Sequence, residues 1–138
     1  MLEKSIIPVL HGDVVMDNSL GTSVISGDQI VPYLAKQMKA GLLGIGSATA
    51  GVLDDKGSTI PVITPKNFEN VKQHIRGSEN TDVTGGMLGK VQEMLELSDS
   101  TYITSHIFDA SKPGNIGRFL KGEKIGTVIT HEQYECRS

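Results

Sequence analysis

The sequence predicts a three-layer α/β/α domain built on a largely parallel, open β-sheet. Short apolar runs alternate along the chain with amphipathic stretches of helical period, which is the pattern of a layered α/β fold. The chain has 138 residues, 38% of them hydrophobic, enough to bury a core of its own. Since no internal repeat or linker-like composition interrupts it, we expect residues 1–138 to form a single domain.

Apolar and β-branched runs predict the strands. The first, SIIPVL at residues 5–10, ends at HGD and is interpreted as a buried strand. The other predicted strands, in chain order, are residues 21–26, 41–46, 58–63, 100–108 and 124–130.

Apolar residues at helical spacing predict four helices. The first follows residue 26, with Asp28 as its N-cap and Pro32 in its first turn, where proline is tolerated. In the second, Thr64 is the predicted cap and Pro65 the first helical residue. A strongly amphipathic third helix follows the glycine pair at 85–86, and a short fourth helix lies within residues 112–122.

Composition narrows the class of protein. A net charge of −3, three Phe, three Tyr and no Trp argue against a nucleic-acid-binding surface. The single cysteine excludes a disulfide framework and a cysteine-based zinc site, and favours a reducing, cytoplasmic compartment. No apolar run approaches the roughly 20 residues that a membrane span requires. We therefore expect a cytoplasmic protein that binds neither nucleic acid nor membrane.

Glycine is enriched, with 16 residues in 138 against a usual share of about 7%. The glycines fall in pairs at the ends of predicted elements, as in folds whose loops approach a ligand closely. Ligands of parallel sheets bind beyond the carboxyl ends of the strands. We therefore expect HGD, SGD and GIGSATAG, each placed after a predicted strand, to share one edge of the sheet.

Gly-Asp follows a β-rich run twice, at Gly12-Asp13 and Gly27-Asp28. Glycine allows a backbone N–H to approach a ligand, and the helix N-terminus beyond it favours anions. An aspartate would repel a phosphate unless it holds lysines or magnesium. The alternatives are that Asp28 only caps its helix and that Asp13 is a turn residue. His11 is interpreted as structural, because no nucleophile lies near it in sequence.

Two further loops are weaker candidates by themselves. No Walker lysine follows the glycine-rich turn at residues 44–51, and Asp54 and Asp55 after it are interpreted as a solvent-facing turn. TGGMLGK, residues 84–90, departs from the P-loop pattern because Val91 follows the lysine. Backbone donors at a helix start with Lys90 one turn later would nevertheless suit a phosphate chain. The alternative is a solvated lysine on an amphipathic helix.

Four segments, taken together, resemble the isopentenyl phosphate kinases of the amino-acid-kinase superfamily. In order and spacing they are IPVLHGDVVMD, SVISGDQIVPYLA, NTDVTGGMLGKVQEMLEL and KGEKIGTVI, and the resemblance covers residues 6–130. It implies a phosphotransferase that moves the γ-phosphoryl group of ATP to isopentenyl phosphate, giving isopentenyl diphosphate for isoprenoid biosynthesis. ATP and Mg²⁺ are the implied cofactors, isopentenyl phosphate is the small-molecule substrate, and the full-length enzyme is expected to be a homodimer.

The resemblance also implies roles for individual residues. Lys90 matches the lysine that contacts the ATP phosphates and steadies the transferring group, and Asp28 matches the aspartate that orients active-site lysines. Gly12 and Asp13 match the loop beside the phosphate acceptor. The implied nucleotide-binding residues, besides Lys90, are Ser47, Ala48, Gly51, Val52, Thr84, Gly85, Gly86 and Met87.

Two departures from the family pattern limit what the resemblance implies. Ala48 and Ala50 stand where aspartates are common, which affects the expected nucleotide affinity. The chain also matches only the C-terminal portion of the family, and His11 does not occupy the place of the histidine that holds the substrate phosphate. We therefore expect an ATP-side fragment. A kinase for another phosphate or phosphonate, such as fosfomycin, and a nucleotide-binding module without turnover remain as alternatives.

Overall fold

The computed structural model describes residues 2–75 and 86–131. The chain consists of two compact units, residues 1–38 and residues 39–138. In the first unit a short 3-10 helix, Leu2–Lys4, precedes strand β1 (Asp13–Asp17), strand β2 (Gly21–Ile25) and helix α1 (Gly27–Gln37).

Strands β1 and β2 form an antiparallel hairpin, in register from Asp13↔Ile25 to Asp17↔Gly21. The Asp17 carboxylate closes the turn by accepting hydrogen bonds from the backbone N–H groups of Ser19 (2.7 Å) and Leu20 (2.8 Å). Those two bonds hold the pKa of Asp17 below its ordinary value. Gly21 leaves the turn at φ +78°, a conformation that favours glycine. Local turn chemistry thus accounts for the hairpin.

The predicted strand at residues 5–10 is wrong, because this segment has no strand structure and its apolar side chains are exposed. Ile7 is 83% and Val9 91% exposed. An apolar run forms a buried strand only where a second layer covers it, and no described residue covers this one. HGD consequently leads into strand β1, whose first residue is Asp13, instead of following a strand. Among the described residues, SGD follows β2 and SATAG begins at Ser47, the last residue of β3.

Helix α1 is confirmed, but its cap differs from the prediction. Ser26 is the N-cap, and its backbone N–H donates to Oε1 of Gln29 at 3.0 Å. Asp28 is the second helical residue, so the prediction that it is the N-cap is wrong. Pro32 lies inside the helix, in the second turn instead of the first. A proline there has no N–H to donate to the carbonyl oxygen of Asp28 four residues earlier.

The second unit is a mixed α/β structure around a four-stranded sheet. Its elements are β3 (Leu42–Ser47), β4 (Val62–Ile63), α2 (Phe68–Lys72), α3 (Met87–Thr101), β5 (Thr104–Asp109), α4 (Asn115–Leu120) and β6 (Thr127–Ile129). The strand order is β3-β5-β6-β4. β3 pairs with β5 and β4 with β6 in parallel, while β5 and β6 are antiparallel. The predicted α/β class with a largely parallel sheet is confirmed.

The centre of this sheet is tightly packed. Phe119 of α4 stacks on Phe108 with ring centroids 5.1 Å apart and meets His106 edge-on at 5.4 Å. Gly44 makes room for this ring, because a Cβ there would lie 2.6 Å from it. Helix α3 packs against β5 and β6 and buries its apolar face. That face includes Val91, Met94, Leu95 and Leu97.

Element boundaries in the second unit differ from several predictions. β4 covers Val62–Ile63 instead of residues 58–63. Helix α2 begins at Phe68 with Asn67 as its N-cap, so Thr64 and Pro65 precede the helix. The Thr64 N–H donates to Oδ1 of Asn67 at 2.8 Å, which closes a turn before the helix starts. The local polar pattern predicted that the helix starts at Thr64 and Pro65. It starts about one turn later, because the Asn67 side chain bonds to the Thr64 backbone and Asn67 is itself the N-cap.

Candidate functional site

The two Gly-Asp motifs lie next to each other in the first unit. A Cβ on Gly12 would lie 2.7 Å from the carbonyl oxygen of Ile25 and 3.1 Å from the Cα of Ser26. This close approach, with the Asp13↔Ile25 register, brings HGD against the start of α1. Asp13 and Asp28 are both exposed there. The structure therefore groups the predicted acceptor loop with the predicted orienting aspartate.

The predicted nucleotide-side loop, residues 47–52, begins at the carboxyl end of β3 and is organised by its own hydroxyl groups. Ser47 Oγ accepts a hydrogen bond from the Thr49 N–H at 3.0 Å and lies 2.9 Å from Thr49 Oγ1. Thr49 Oγ1 in turn donates to the carbonyl oxygen of Gly51 at 2.8 Å. Ala48 and Ala50 occupy the exposed positions between these bonds. The loop therefore presents a small, ordered backbone surface.

The far end of the loop is an anchor. Gly51 and Val52 are buried, and the Val52 N–H donates to Thr127 Oγ1 at 2.8 Å. Beyond them Asp54 accepts hydrogen bonds from the backbone of Lys56 and Ser58, which confirms a turn there. The side chain of Val52 is fully buried, and its N–H is already hydrogen-bonded to Thr127. Of the predicted nucleotide-binding residues in this loop, Ser47 and Ala48 are the more accessible.

Sequence reasoning missed Asp109, which ends β5 directly beside Ser47. The two residues are register partners, and the Ala110 N–H donates to the carbonyl oxygen of Ser47 at 3.1 Å. Oδ1 of Asp109 accepts hydrogen bonds from Ser111 Oγ (2.6 Å) and from the Ser111 N–H (2.9 Å). The Ser111 hydroxyl is the main cause that holds the pKa of Asp109 below its ordinary value, with Lys112 assisting. The carboxylate is therefore ionised at neutral pH.

One sequence signal could have found Asp109. It directly follows the apolar end of a predicted strand, and such positions line the ligand-binding edge of a parallel sheet. The pairing of this strand with β3, which lies some 60 residues earlier in the chain, is decided only by the tertiary structure.

The start of helix α3 has the features that an anion requires. Gly86 is its N-cap and provides no side-chain cap, and the first turn contains no acidic residue. The first backbone N–H groups of a helix have no intrahelical partner and carry partial positive charge. Lys90 is half-buried, and its own N–H donates to the carbonyl oxygen of Gly86 at 3.3 Å. The predicted residues Thr84 and Gly85 lie outside the described residues.

The sequence that carries these features matches a known protein family. The model of the amino acid kinase family matches residues 1–109. The chain belongs to the amino acid kinase family. Isopentenyl phosphate kinase of Haloferax volcanii is 40% identical to it over 132 residues, which cover 96% of this chain and 50% of the relative. The corresponding kinase of Methanocaldococcus jannaschii is 38% identical over 129 residues, covering 94% and 48%.

The fold of this amino acid kinase chain is confirmed by a solved structure. An X-ray structure of isopentenyl phosphate kinase superposes with a TM-score of 0.68 at 31% identity, covering 93% of this chain and 47% of that one. The amino-acid-kinase-like fold and the resemblance to isopentenyl phosphate kinases are therefore confirmed. The chain spans about half the length of the curated relatives that it matches.

Two negative findings apply to the described part of this amino acid kinase chain. Within residues 2–75 and 86–131, no three His, Cys, Asp or Glu side chains come together as a metal site. In the same ranges no helix has both the length and the apolar character needed to cross a membrane.

Proposed function

We propose that this chain is the ATP-side half of a kinase that transfers the γ-phosphoryl group of ATP to isopentenyl phosphate. The observation that carries the proposal is the 40% identity to an isopentenyl phosphate kinase across 96% of the chain. The geometry is consistent with it, because an ordered loop at residues 47–52 and an ionised Asp109 lie at one edge of the sheet. That edge is where ligands of α/β sheets bind.

The proposed nucleotide site works through backbone groups and one lysine. The exposed part of the loop at residues 47–50 would contact the nucleotide through its backbone, as glycine-rich and small-residue loops do. The free N–H groups at the start of α3 would face the phosphates. Lys90 would place a compact positive charge on the oxygens of the group in transfer. Phosphoryl transfer depends mainly on such positioning and charge stabilisation, so a covalent nucleophile is not required.

Mg²⁺ fits this donor set as a companion of ATP. The described residues form no cluster of three acidic or histidine ligands, and Mg²⁺ is commonly held by one or two carboxylates together with phosphate oxygens and water. When bound, the ion would neutralise charge on the phosphates. Asp109, which ends β5 beside Ser47, is the candidate that we name for an outer contact to it.

The acceptor side is proposed to involve the paired Gly-Asp motifs. Gly12 and Asp13 lie beside the start of α1, and the close approach of Gly12 to Ser26 places backbone groups at this corner. Asp28, the second residue of α1, would orient active-site lysines. The support for these roles is the match in sequence with the family motif and the contact between the two motifs.

The proposal is tested by reconstitution with the amino-terminal half of the Haloferax volcanii relative. The two polypeptides are co-expressed, and formation of isopentenyl diphosphate from ATP and isopentenyl phosphate is measured. We expect turnover from the pair and negligible turnover from the 138-residue chain by itself, because the chain spans only half the length of that relative and catalysis here depends on positioning.

Two controls decide between the alternatives. Fosfomycin replaces isopentenyl phosphate in a parallel assay, and preferential phosphorylation of fosfomycin would assign the other acceptor class. A co-purifying pair that binds ATP without turnover on either acceptor would favour the nucleotide-binding module. The cytoplasmic location and the homodimer of the full-length enzyme stay predictions. Light scattering on the reconstituted enzyme measures its oligomeric state.

A further inference from the structure

We infer that Thr127 is a positioning residue for the nucleotide-side loop at residues 47–52, an inference that rests on the proposed function. Thr127 opens β6 and is fully buried. Its hydroxyl accepts a hydrogen bond from the Val52 N–H at 2.8 Å and donates one to the carbonyl oxygen of Ile60 at 2.6 Å. One side-chain oxygen of β6 therefore contacts both the end of the loop, at Val52, and the segment that precedes β4, at Ile60.

A hydroxyl group is required for this connection. Thr127 lies 75 positions from Val52 and 67 from Ile60 in sequence, and its oxygen acts as acceptor toward one and donor toward the other. Valine has nearly the same shape but neither capacity. Its introduction would leave the buried Val52 N–H and the part-buried Ile60 C=O without their partner, and unpaired polar groups away from water are unfavourable. The loop end would then have to move to find water.

The contact between the loop and β6 is also steric. A Cβ on Gly51 would lie 2.6 Å from Thr127 Oγ1 and 2.9 Å from the Thr127 backbone nitrogen. The residue before Thr127, Gly126, has φ +69° and would place a Cβ against the carbonyl oxygen of Ile107. β5, β6 and the loop are thus in direct backbone contact, so the position of the loop end is tied to the sheet itself.

The composition of this loop makes its anchoring important. Ala48 and Ala50 carry only methyl groups, so contacts of the loop with a nucleotide come largely from the backbone. The Ser47 end is tied to the sheet by the bond from the Ala110 N–H, and the Val52 end by Thr127. The backbone between these two anchors has its position set by them. A displacement at Thr127 is therefore expected to weaken nucleotide binding without any direct contact between Thr127 and the nucleotide.

The test is ATP binding to the full 138-residue chain by isothermal titration calorimetry, with Thr127→Val, Thr127→Ser and the control Thr130→Val. Thr130 is a buried threonine just beyond β6, and its N–H bonds to the carbonyl oxygen of Ile63, away from the loop. We expect Thr127→Val to raise the Kd for ATP about tenfold, the equivalent of one hydrogen bond. Thr127→Ser and Thr130→Val should bind nearly as the wild type does.

Hydrogen exchange and a second variant keep the test decisive. Thr127→Val should increase exchange at the Val52 amide, while Thr127→Ser restores its protection. If Thr127→Val is too unstable to titrate, Gly51→Ala displaces the same loop end by crowding Thr127 while keeping its hydroxyl, and it should show the same loss of affinity. Equal ATP affinity for Thr127→Val and Thr130→Val, or for Gly51→Ala and the wild type, overturns the inference. A wild-type chain that binds no ATP refutes the proposed function as well.

Discussion

Gly12 and Ile25 are in such close contact that a Cβ on Gly12 would lie 2.7 Å from the Ile25 carbonyl oxygen. Real Cβ atoms do not approach a carbonyl oxygen so closely, so only glycine fits at this position without a backbone shift. The contact joins the segment before β1 to the end of β2, and with it the two Gly-Asp motifs.

Gly12→Ala is expected to destabilise the first unit by about 1–3 kcal/mol, because the added methyl group must displace backbone atoms. Gly27→Ala is the matched control, since no atom lies within 4 Å of a Cβ at that position. Gly27 is also the first residue of a helix, where alanine is well tolerated. Urea denaturation and hydrogen exchange of β1 and β2 measure the stability of both variants. Equal stability of the two variants would contradict the close contact.

Asp28→Asn is expected to lower kcat of the reconstituted kinase more than it lowers stability. The substitution removes a charge proposed to orient lysines, while the N-cap of α1 is provided by Ser26. Gln29→Ala is the control, and it is expected to affect stability more than kcat. It removes the bond from the Ser26 N–H, so it should lower stability by about 0.5–1.5 kcal/mol and leave kcat nearly unchanged. An unchanged kcat in Asp28→Asn would remove Asp28 from the proposed site.

Lys90→Ala is expected to lower kcat of the reconstituted kinase by roughly 10²-fold or more, comparable to the loss of one oxyanion donor. Lys90→Arg should also lower it substantially, because a planar guanidinium does not replace a compact ammonium group. The control is Lys72→Ala, which removes only an exposed pair with Glu69. Steady-state kinetics and thermal melts are measured for all three. Near-normal kcat in Lys90→Ala would show that the lysine only packs on α3.

Stability is expected to decrease as the pH falls below about 6.5, the ordinary pKa of histidine, because His106 is buried. Burial lowers the pKa of His106, while its hydrogen bond to the Ile125 backbone acts in the opposite direction. The unfolded chain therefore binds a proton at a higher pH than the folded chain. This contribution to stability is complete above the unfolded pKa and is lost as the pH falls from there toward the folded pKa.

The difference between two titrations isolates this effect. Melting temperatures are recorded from pH 7.5 to pH 5.5 for the wild type, His106→Leu and the control His74→Leu. His74 is exposed, so its substitution should leave the pH dependence intact. His106→Leu should flatten it. A wild-type slope that persists in His106→Leu would assign the dependence to another group.

Local sequence determined most of the secondary structure. Helix α3 follows from the periodic apolar residues after Met87. Strand β1 was not predicted, although the turn that joins it to β2 is made locally by Asp17 and Gly21. β3 and β5 follow from short apolar runs. These features depend on neighbours within a few positions, so pattern and propensity suffice to predict them. Four segments in order and spacing, which contain Gly12-Asp13, Gly27-Asp28, Lys90 and the final KGEKIGTVI, were also sufficient to predict the family.

The tertiary structure decided burial and the contacts between distant residues, which the local sequence pattern does not encode. The apolar run at residues 5–10 resembles a strand but stays exposed, because burial depends on a second layer and not on composition. The pairing of Ser47 with Asp109 and the bond between Val52 and Thr127 join residues more than 60 positions apart. Such contacts arise from strand register and packing across the whole sheet, which no local spacing encodes. For that reason the sequence predicted a nucleotide-side loop at residues 47–52, and only the fold revealed what holds these residues in place.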